Sequence, residues 1–350
     1  RDSSVTGVQT CALPICASYR LGSGTEFVIE GDEYDSAYFD KTAKFLKYLP
    51  DIAVIGNVEF DHADIYPDLD AVLTAFRRLV NLVPRRGLVL IGVDSPHART
   101  LAAGAHARVE TFGLDAAADW RAIDIRPEAS RTLFSVTHRG TDVGTFSVPL
   151  VGVYNVRNAL AAIAVGHDVG LEMSAVAEGL RTFAGVKRRL EVVGTASGVT
   201  VYDDFAHHPT AVEETLAGLR AANQGARIWA VFEPRSASSC RRVFQADFAR
   251  AFGAADEIVL APVFRASLPE TERLSIDQLV ADLQAQGRSA CAPPSVDAII
   301  ETVVARHRPG DLVVLMSNGG FGGIHHRLLR SEEHTSELQS HLNLVCRLLL

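Results

Sequence analysis

Along the middle of the chain, apolar β-rich runs alternate with segments whose apolar residues recur at helical spacing, and this alternation limits the possible folds more than any other feature. Ile52–Asn57 (IAVIGN) reads as a buried strand, Leu69–Leu82 as a helix with Leu69, Val72, Leu73, Phe76, Leu79 and Val80 on one face, and Leu88–Ile91 as the next strand. Upstream, Phe27–Glu30 reads as a short strand and Asp40–Tyr48 as a helix. Such alternation implies an α/β protein with a mostly parallel sheet covered by helices. Arg108–Val148 carries shorter, more polar strand patterns that fit a small antiparallel sheet, and Asn158–Val169 is an alanine-rich helix. A second α/β unit starts near Glu191. Its expected strands are Val199–Tyr202, Ile228–Phe232, Glu257–Ala261 and Leu312–Met316, and its helices Thr210–Ala221, Arg242–Ala251 and Ile276–Leu283. Gly185–Arg189 is the expected hinge between the units.

The 350 residues suffice for two or three domains. A hydrophobic fraction of 47% and a charged fraction of 22% fit soluble globular protein. A net charge of −8 argues against nucleic acid as the main partner, which favours a basic footprint. No apolar run approaches the roughly 20 residues of a membrane span, and the first residues lack the layout of a signal peptide. Val5–Ile15 (VTGVQTCALPI) resembles a translated sequencing-library adapter, and Arg330–His341 (RSEEHTSELQSH) resembles its other strand. Residues 1–16 and 330–350 are therefore expected to be artefact and to lie outside the fold. Cys240 and Cys291 then remain, which suggests no disulfide framework and fits a reducing cytoplasm.

Chemistry-bearing residues cluster directly after strands. Glu30-Gly-Asp-Glu-Tyr-Asp35 places four carboxylates at a strand's C-terminal end, the edge where open α/β sheets bind ligands. Hard cations such as Mg²⁺ take carboxylate oxygens together with substrate phosphates, although a solvated acidic loop reads this segment equally well. Asn57-Val-Glu-Phe-Asp-His62 follows the next strand; His62 alone reads more simply as structural, but two neighbouring strand ends strengthen the metal reading. Gly152-Val-Tyr-Asn155-Val-Arg-Asn158 opens a helix, with Asn155 as a candidate cap or adenine reader. Tyr202-Asp-Asp-Phe-Ala-His207-His208-Pro209 joins a strand to a helix that Pro209 would start. Its carboxylates could hold ribose, and its histidines with the helix N-terminus could face phosphate. Glu233-Pro-Arg235-Ser236 and Ser317-Asn-Gly-Gly-Phe-Gly-Gly323 follow later strands.

The order of these motifs is specific. E-x-D-E-Y-D, N-x-E-x-D-H, G-x-x-N-x-x-N-A, R-R-L-E and D-D-F-A-H-H-P resemble the Mur ligases across nearly all of residues 26–329. E-P-R-S and M-S-N-G-G-F-G-G-I-H resemble the branch that joins a recycled L-alanyl-γ-D-glutamyl-meso-diaminopimelate tripeptide to UDP-N-acetylmuramate. The resemblance implies an N-terminal UDP-sugar domain, a central ATPase and a Rossmann-like C-terminal domain. Residues 17–186 would be a partial central domain and 187–329 the C-terminal one, with the first domain missing. It implies an ADP-forming ligase: ATP phosphorylates the lactyl carboxylate, and the tripeptide amine attacks the acyl phosphate. By the same match Glu30 and His62 would hold Mg²⁺, Asn155 and Asn158 would contact adenine, and Arg189 would reach ATP from the hinge. Asp204 and His207 would lie on the nucleotide from the C-terminal domain, while Arg235, Ser236, Ser317 and Asn318 would shape the tripeptide pocket. An arginine there suits a peptide rich in carboxylates.

The chain departs from the family pattern in three ways. Tyr154 stands where several relatives have histidine, and no lysine occurs between Lys47 and Lys187 to serve as a carbamylated metal bridge. No G-x-x-G-K-[ST] phosphate loop is present, so this fragment alone is expected to be inactive. The alternatives are the L-alanine-adding branch of the family, or a non-catalytic binding fragment.

Overall fold

The computed structural model describes residues 5–7, 20–22, 24–264 and 268–331. Most of the two expected artefact segments, residues 1–4, 8–16 and 332–350, lies outside the described residues. The chain divides into two compact units between Gly185 and Val186.

The first unit begins with three short strands, β1 (Val5–Gly7), β2 (Arg20–Leu21) and β3 (Val28–Ile29), in the order β2-β1-β3. β1 runs parallel to β3, so a segment expected outside the fold is placed beside it. A hairpin follows, β4 (Asp35–Ala37) with β5 (Asp40–Ala43), and then a 3₁₀ turn, Lys44–Lys47. The helix expected over Asp40–Tyr48 is thus half strand and half 3₁₀ turn. The cause is tertiary: the amides of Lys44 and Phe45 donate to the carbonyls of Tyr34 (3.1 Å) and Asp32 (3.2 Å), which removes them from any helical ladder. Phe45, 1% exposed, is the anchor that this pairing drives inward.

A six-stranded sheet carries the rest of the unit, in the order β11-β10-β9-β8-β7-β6. Its members are β6 (Ile52–Ile55), β7 (Leu88–Gly92), β8 (Arg108–Gly113), β9 (Trp120–Glu128), β10 (Arg131–His138) and β11 (Thr141–Val148). Pairing is parallel from β6 to β9 and antiparallel from β9 to β11. The polar 108–148 region therefore extends the parallel sheet rather than forming a separate one. α1 (Leu69–Leu82) starts at Asp68, whose side chain accepts from the Ala71 amide, and packs Val72, Leu73 and Val80 over β6 and β7. α2 (Pro96–Arg99) is a single turn. α3 (Val153–Asp168) buries Val156, Leu160 and Ile163 against Phe112, Trp120 and Phe134 on the same sheet. α4 (Met173–Arg181), which periodicity did not reveal, has no fully buried residue.

The second unit is a six-stranded sheet in the order β12-β13-β17-β14-β15-β16. The strands are β12 (Glu191–Ala196), β13 (Val199–Asp204), β14 (Ile228–Phe232), β15 (Glu257–Leu260), β16 (Ser289–Cys291) and β17 (Leu312–Met316). Only the β12–β13 pair is antiparallel. Every residue of β14 and β17 is buried, as expected of strands covered on both faces. The helices are α5 (Pro209–Ala222), with Pro209 at its first position, α6 (Gln245–Ala251), α7 (Ile276–Ala285) and α8 (Val296–Arg306). β12, β16 and α8 are additions to the expected elements. β16 has three residues, too few for a period to register.

Candidate functional sites of the two units

In the first unit the segments after β3 and β6 meet. His62 has a left-handed backbone (φ 51°), and its amide donates to its neighbour Asp61 (2.7 Å). Its carbonyl accepts from Ile65 and Tyr66. The turn aims the ring at Glu33, whose Oε1 lies 3.0 Å from His62 Nε2, while the Tyr34 ring stands edge-on at 5.0 Å. Tyr66 donates its hydroxyl to the Glu33 carbonyl (2.6 Å), and Lys44 pairs with Asp32 (2.6 Å). A small cavity of about 70 Å³ is lined by Glu33, Asn57, Glu59, Asp61 and His62 over Val72 and Phe76.

The electrostatics of this corner are negative. Burial alone would lower the His62 pKa, but the bond to Glu33 and the charges of Asp61, Glu33 and Asp32 outweigh it and raise it. Burial, followed by the charges of Glu33, Asp32 and Asp35, pushes the Tyr66 phenol up to about 12. The carboxylate charges that contribute to both shifts make a negative corner that suits a cation, and His62 would bind one only in its neutral form. Glu30 is exposed and does not line the cavity; Glu33 and Asp61 do. Among the described residues no three His, Cys, Asp or Glu side chains converge as a complete metal cage. The donor set nevertheless fits Mg²⁺, which takes one or two carboxylates and completes its shell with water and phosphate.

At the other end of this unit's sheet, Gly152 precedes α3 with φ 96°, a conformation that glycine adopts without strain. Asn155 is not the cap. It lies inside the first turn, 9% exposed, and its Nδ2 donates back to the Val151 carbonyl (2.8 Å). Asn158, three residues on and exposed, shares that face of the helix.

In the second unit three strand ends stand in register: Asp204 of β13 faces Met316 of β17, which faces Phe232 of β14. With strands about 4.8 Å apart, the residues just beyond them share one edge. Ser317 and Glu233 are both buried, and the Ser317 hydroxyl donates to Glu233 Oε2 (2.5 Å) while accepting from the Gly319 amide (2.9 Å). Arg188 donates to the carbonyls of Ser317 (2.5 Å) and Gly319 (2.9 Å) and pairs with Asp203 (3.2 Å). The Arg235 guanidinium lies 3.6 Å over the Phe264 ring and 3.7 Å from Glu233. A methyl group on Gly319 would overlap it, so glycine is required for this close approach. Ser236 and Ser239 bond through their hydroxyls (2.8 Å), and Ser239 also takes the amides of Arg235 and Ser236, which stiffens the loop. The Asn318 carboxamide oxygen is buried without a hydrogen-bond partner among the described residues.

Asp204 is 1% exposed and works on the backbone: it accepts from the amides of Leu190 (2.7 Å) and Ala206 (2.8 Å). Burial pushes its carboxyl up, against the pull of those amides and of Arg189. Arg189 is exposed, with its guanidinium 5.6 Å from the Phe205 ring. His207 is held through Nδ1 against the Phe205 carbonyl (2.9 Å). Sequence reasoning did not single out Arg188, Glu233 as a partner of Ser317, or Phe264. The only sequence signals were the doubled arginine in R-R-L-E and the acid heading E-P-R-S.

Comparison with known proteins shows the family of the chain. Residues 14–166 match the Mur ligase middle domain and residues 188–319 the Mur ligase glutamate ligase domain. Over 319 residues the chain is 40% identical to the UDP-N-acetylmuramate–L-alanyl-γ-D-glutamyl-meso-2,6-diaminoheptandioate ligase of Haemophilus influenzae, covering 89% of this chain and 66% of that protein. It is 36% identical over 302 residues to the UDP-N-acetylmuramate–L-alanine ligase of Salinibacter ruber, covering 85% of this chain and 61% of that one. The crystal structure of a murein peptide ligase from Psychrobacter arcticus superposes with a TM-score of 0.65 at 32% identity, covering 93% of this chain and 71% of that one. The chain thus spans slightly less than two thirds of the Haemophilus relative's length.

Proposed function

The chain belongs to the Mur ligase family, and from that premise we propose that the complete protein joins L-alanyl-γ-D-glutamyl-meso-diaminopimelate to UDP-N-acetylmuramate at the expense of ATP. The observation that carries the choice of tripeptide is the 40% identity over 89% of the chain to a relative named for that reaction. The Arg235 loop supports it: a guanidinium held flat on Phe264 and half-exposed is preorganised for a carboxylate of the incoming peptide.

Each unit contributes residues of its own. Glu30 and His62, with Glu33 and Asp61 beside the ring, would hold Mg²⁺ and polarise the corner against phosphate. When bound, the cation neutralises the charge that builds on a phosphoryl group in transfer. Asn155 and Asn158 present one face of α3 to adenine. Arg189, exposed beside Phe205, is the guanidinium left for phosphate, because Arg188 is committed to Ser317 and Gly319. His207 and the exposed side of the Asp204 turn would contact nucleotide, with Asp204 acting through the backbone it pins. Ser236, Ser317 and Asn318 shape the peptide end, where the unpartnered Asn318 oxygen is a ready acceptor for an ammonium or amide. Orientation of the amine toward an acyl phosphate, with water excluded, is the main contribution asked of these groups.

No helix among the described residues is long and apolar enough to cross a membrane; we assign the reaction to the cytoplasm, where ATP and the nucleotide sugar would be found. The test is an assay of the complete enzyme with ATP, UDP-N-acetylmuramate and either tripeptide or L-alanine. ADP release with the tripeptide is expected; turnover with L-alanine and none with tripeptide would overturn the assignment in favour of the alanine-adding branch. The 350-residue chain alone, which contains no G-x-x-G-K-[ST] loop, is expected to release no ADP.

A further inference from the structure

The strand ends that carry Arg235 and Ser317 are not the end of this edge. β15 and β16 lie one and two strands beyond β14, and at their C-terminal ends opens a second cavity of about 590 Å³, large enough for a small ligand. Pro262 and Pro293 supply apolar wall, while Arg242, Arg273, Glu270 and Asp277 bring both signs of charge to one space. Among the described residues the side chains of Arg242 and Asp277 form no hydrogen bond or ion pair, with each other or with anything else. Arg273 pairs with Glu270 at 3.6 Å, and the Glu270 side chain is 90% exposed. Opposite charges that face one cavity without pairing suit a ligand whose own opposite charges are set apart.

The cavity is fastened to the peptide loop. The Phe264 amide donates to the Pro234 carbonyl (3.0 Å), which places the Pro262–Phe264 segment against the Arg235 loop. On the far side Arg241 bridges to Arg273, the Arg242 amide donates to Glu272 (2.7 Å), and the Leu274 amide donates to Cys240 (2.8 Å). The chain that leaves Ser236 therefore forms one wall, and its partner strand the other. In distance, the cavity begins about 5 Å and ends about 10 Å from the end of β14, counted in strand spacings. Three residues of extended peptide reach about 10 Å. A lone amino acid held at Arg235 would not reach it.

We propose that this cavity is the subsite for the far end of the tripeptide, the second α-amino-acid centre of its 2,6-diaminodicarboxylate residue. Arg242 takes the carboxylate and Asp277 the ammonium, with Arg273 and Glu270 reinforcing the same signs. This rests on the tripeptide reading above and deepens it, since it states how the protein recognises a peptide that ends in a zwitterion.

Arg242→Gln and Asp277→Asn test it in the complete enzyme, because both side chains are exposed and make no hydrogen bond or ion pair among the described residues. KM and kcat are measured for the tripeptide and for L-alanyl-γ-D-glutamate, which lacks the terminal residue; if the dipeptide is not turned over, its inhibition constant against the tripeptide replaces KM. Each variant is expected to raise KM for the tripeptide about 10- to 100-fold, the loss of one charge-assisted contact, and to leave kcat and the dipeptide constants close to wild type. Variants that keep wild-type KM for the tripeptide, or that weaken dipeptide and tripeptide alike, overturn the subsite while leaving the ligase reading in place. A wild-type enzyme that ignores the tripeptide overturns that reading first, and the subsite with it.

Discussion

Replacing Asp204 by asparagine tests whether the turn opening the second unit is held by a single buried carboxylate. Arg188 and Leu190 both have left-handed backbones, with φ of 58° and 48°, although neither is glycine. Each costs about 1–2 kcal/mol, so the turn stores roughly 2–4 kcal/mol. Three bonds oppose that strain: Leu190 N–H to Asp204 (2.7 Å), Arg188 N–H to Glu191 (2.9 Å) and Phe205 N–H to the Arg188 carbonyl (2.8 Å). The first ends on a buried carboxylate. In D204N an amide nitrogen either faces the Leu190 N–H, donor against donor, or is turned to face Ala206 instead. Losing a hydrogen bond to a charged acceptor costs about 1.5–3 kcal/mol, which is the size of the strain it balances.

The consequence is local before it is global. The Leu190 amide of D204N should exchange with solvent roughly 10- to 150-fold faster than in wild type, while core amides of β14 and β17 keep their protection. Hydrogen exchange followed by NMR or by peptide mass reads both. The pH dependence carries a sign as well. Burial raises the Asp204 carboxyl above its ordinary 3.8 in the fold. Its contribution to stability is therefore full below the unfolded value and declines as pH rises through the folded one, and D204N, which does not titrate, should lose that slope. Unchanged exchange at Leu190 would refute the argument, because the strained turn would then be held by something other than Asp204.

Gly319→Ala would push a methyl group into the Arg235 guanidinium; KM for the tripeptide should rise about tenfold or more as Arg235 leaves its carboxylate-binding position, with the unfolding midpoint little changed. His138 lies 4.0 Å from Trp120, stacked on it, and burial, helped by Arg139 and His167, lowers its pKa against the opposing charge of Glu110. Its stabilising contribution is present above 6.5 and lost as pH falls through the folded value, so urea unfolding of wild type should weaken between pH 7 and pH 5 more steeply than that of His138→Gln. Glu30→Ala in the complete enzyme should abolish ADP release while shifting stability by no more than about 0.5 kcal/mol, as for other exposed substitutions; unchanged turnover removes Glu30 from the cation site.

Residues that follow strands were the legible part of the site, because alternating apolar runs locate strand ends and ligands gather there. That is why the segments holding Glu30, His62, His207, Arg235 and Ser317 could be singled out by position, while the roles proposed for those residues came from the family resemblance. What spacing could not disclose is partnership across the chain. Ser317 meets Glu233 over 84 residues, and Arg188 meets Gly319 over 131. The hairpin and 3₁₀ turn at residues 35–47 escaped for the same reason, since its amides are claimed by the Asp32–Tyr34 loop and not by their own helix. These long pairings divide the polar residues of the second unit into two groups. Asp204, Glu233, Ser317 and Arg188 spend their hydrogen bonds holding loops, whereas Arg189, Arg235, Arg242 and Asp277 keep charge available for a ligand. Substitutions in the first group should act mainly on local stability, and those in the second mainly on ligand affinity. The two arginines of R-R-L-E fall on opposite sides of that line: Arg188→Lys should loosen the Ser317–Gly319 loop, and Arg189→Lys should weaken ATP binding with the loop intact. If hydrogen exchange of Gly319 and KM for ATP respond in the reverse order, the division of labour drawn from their bonding is wrong.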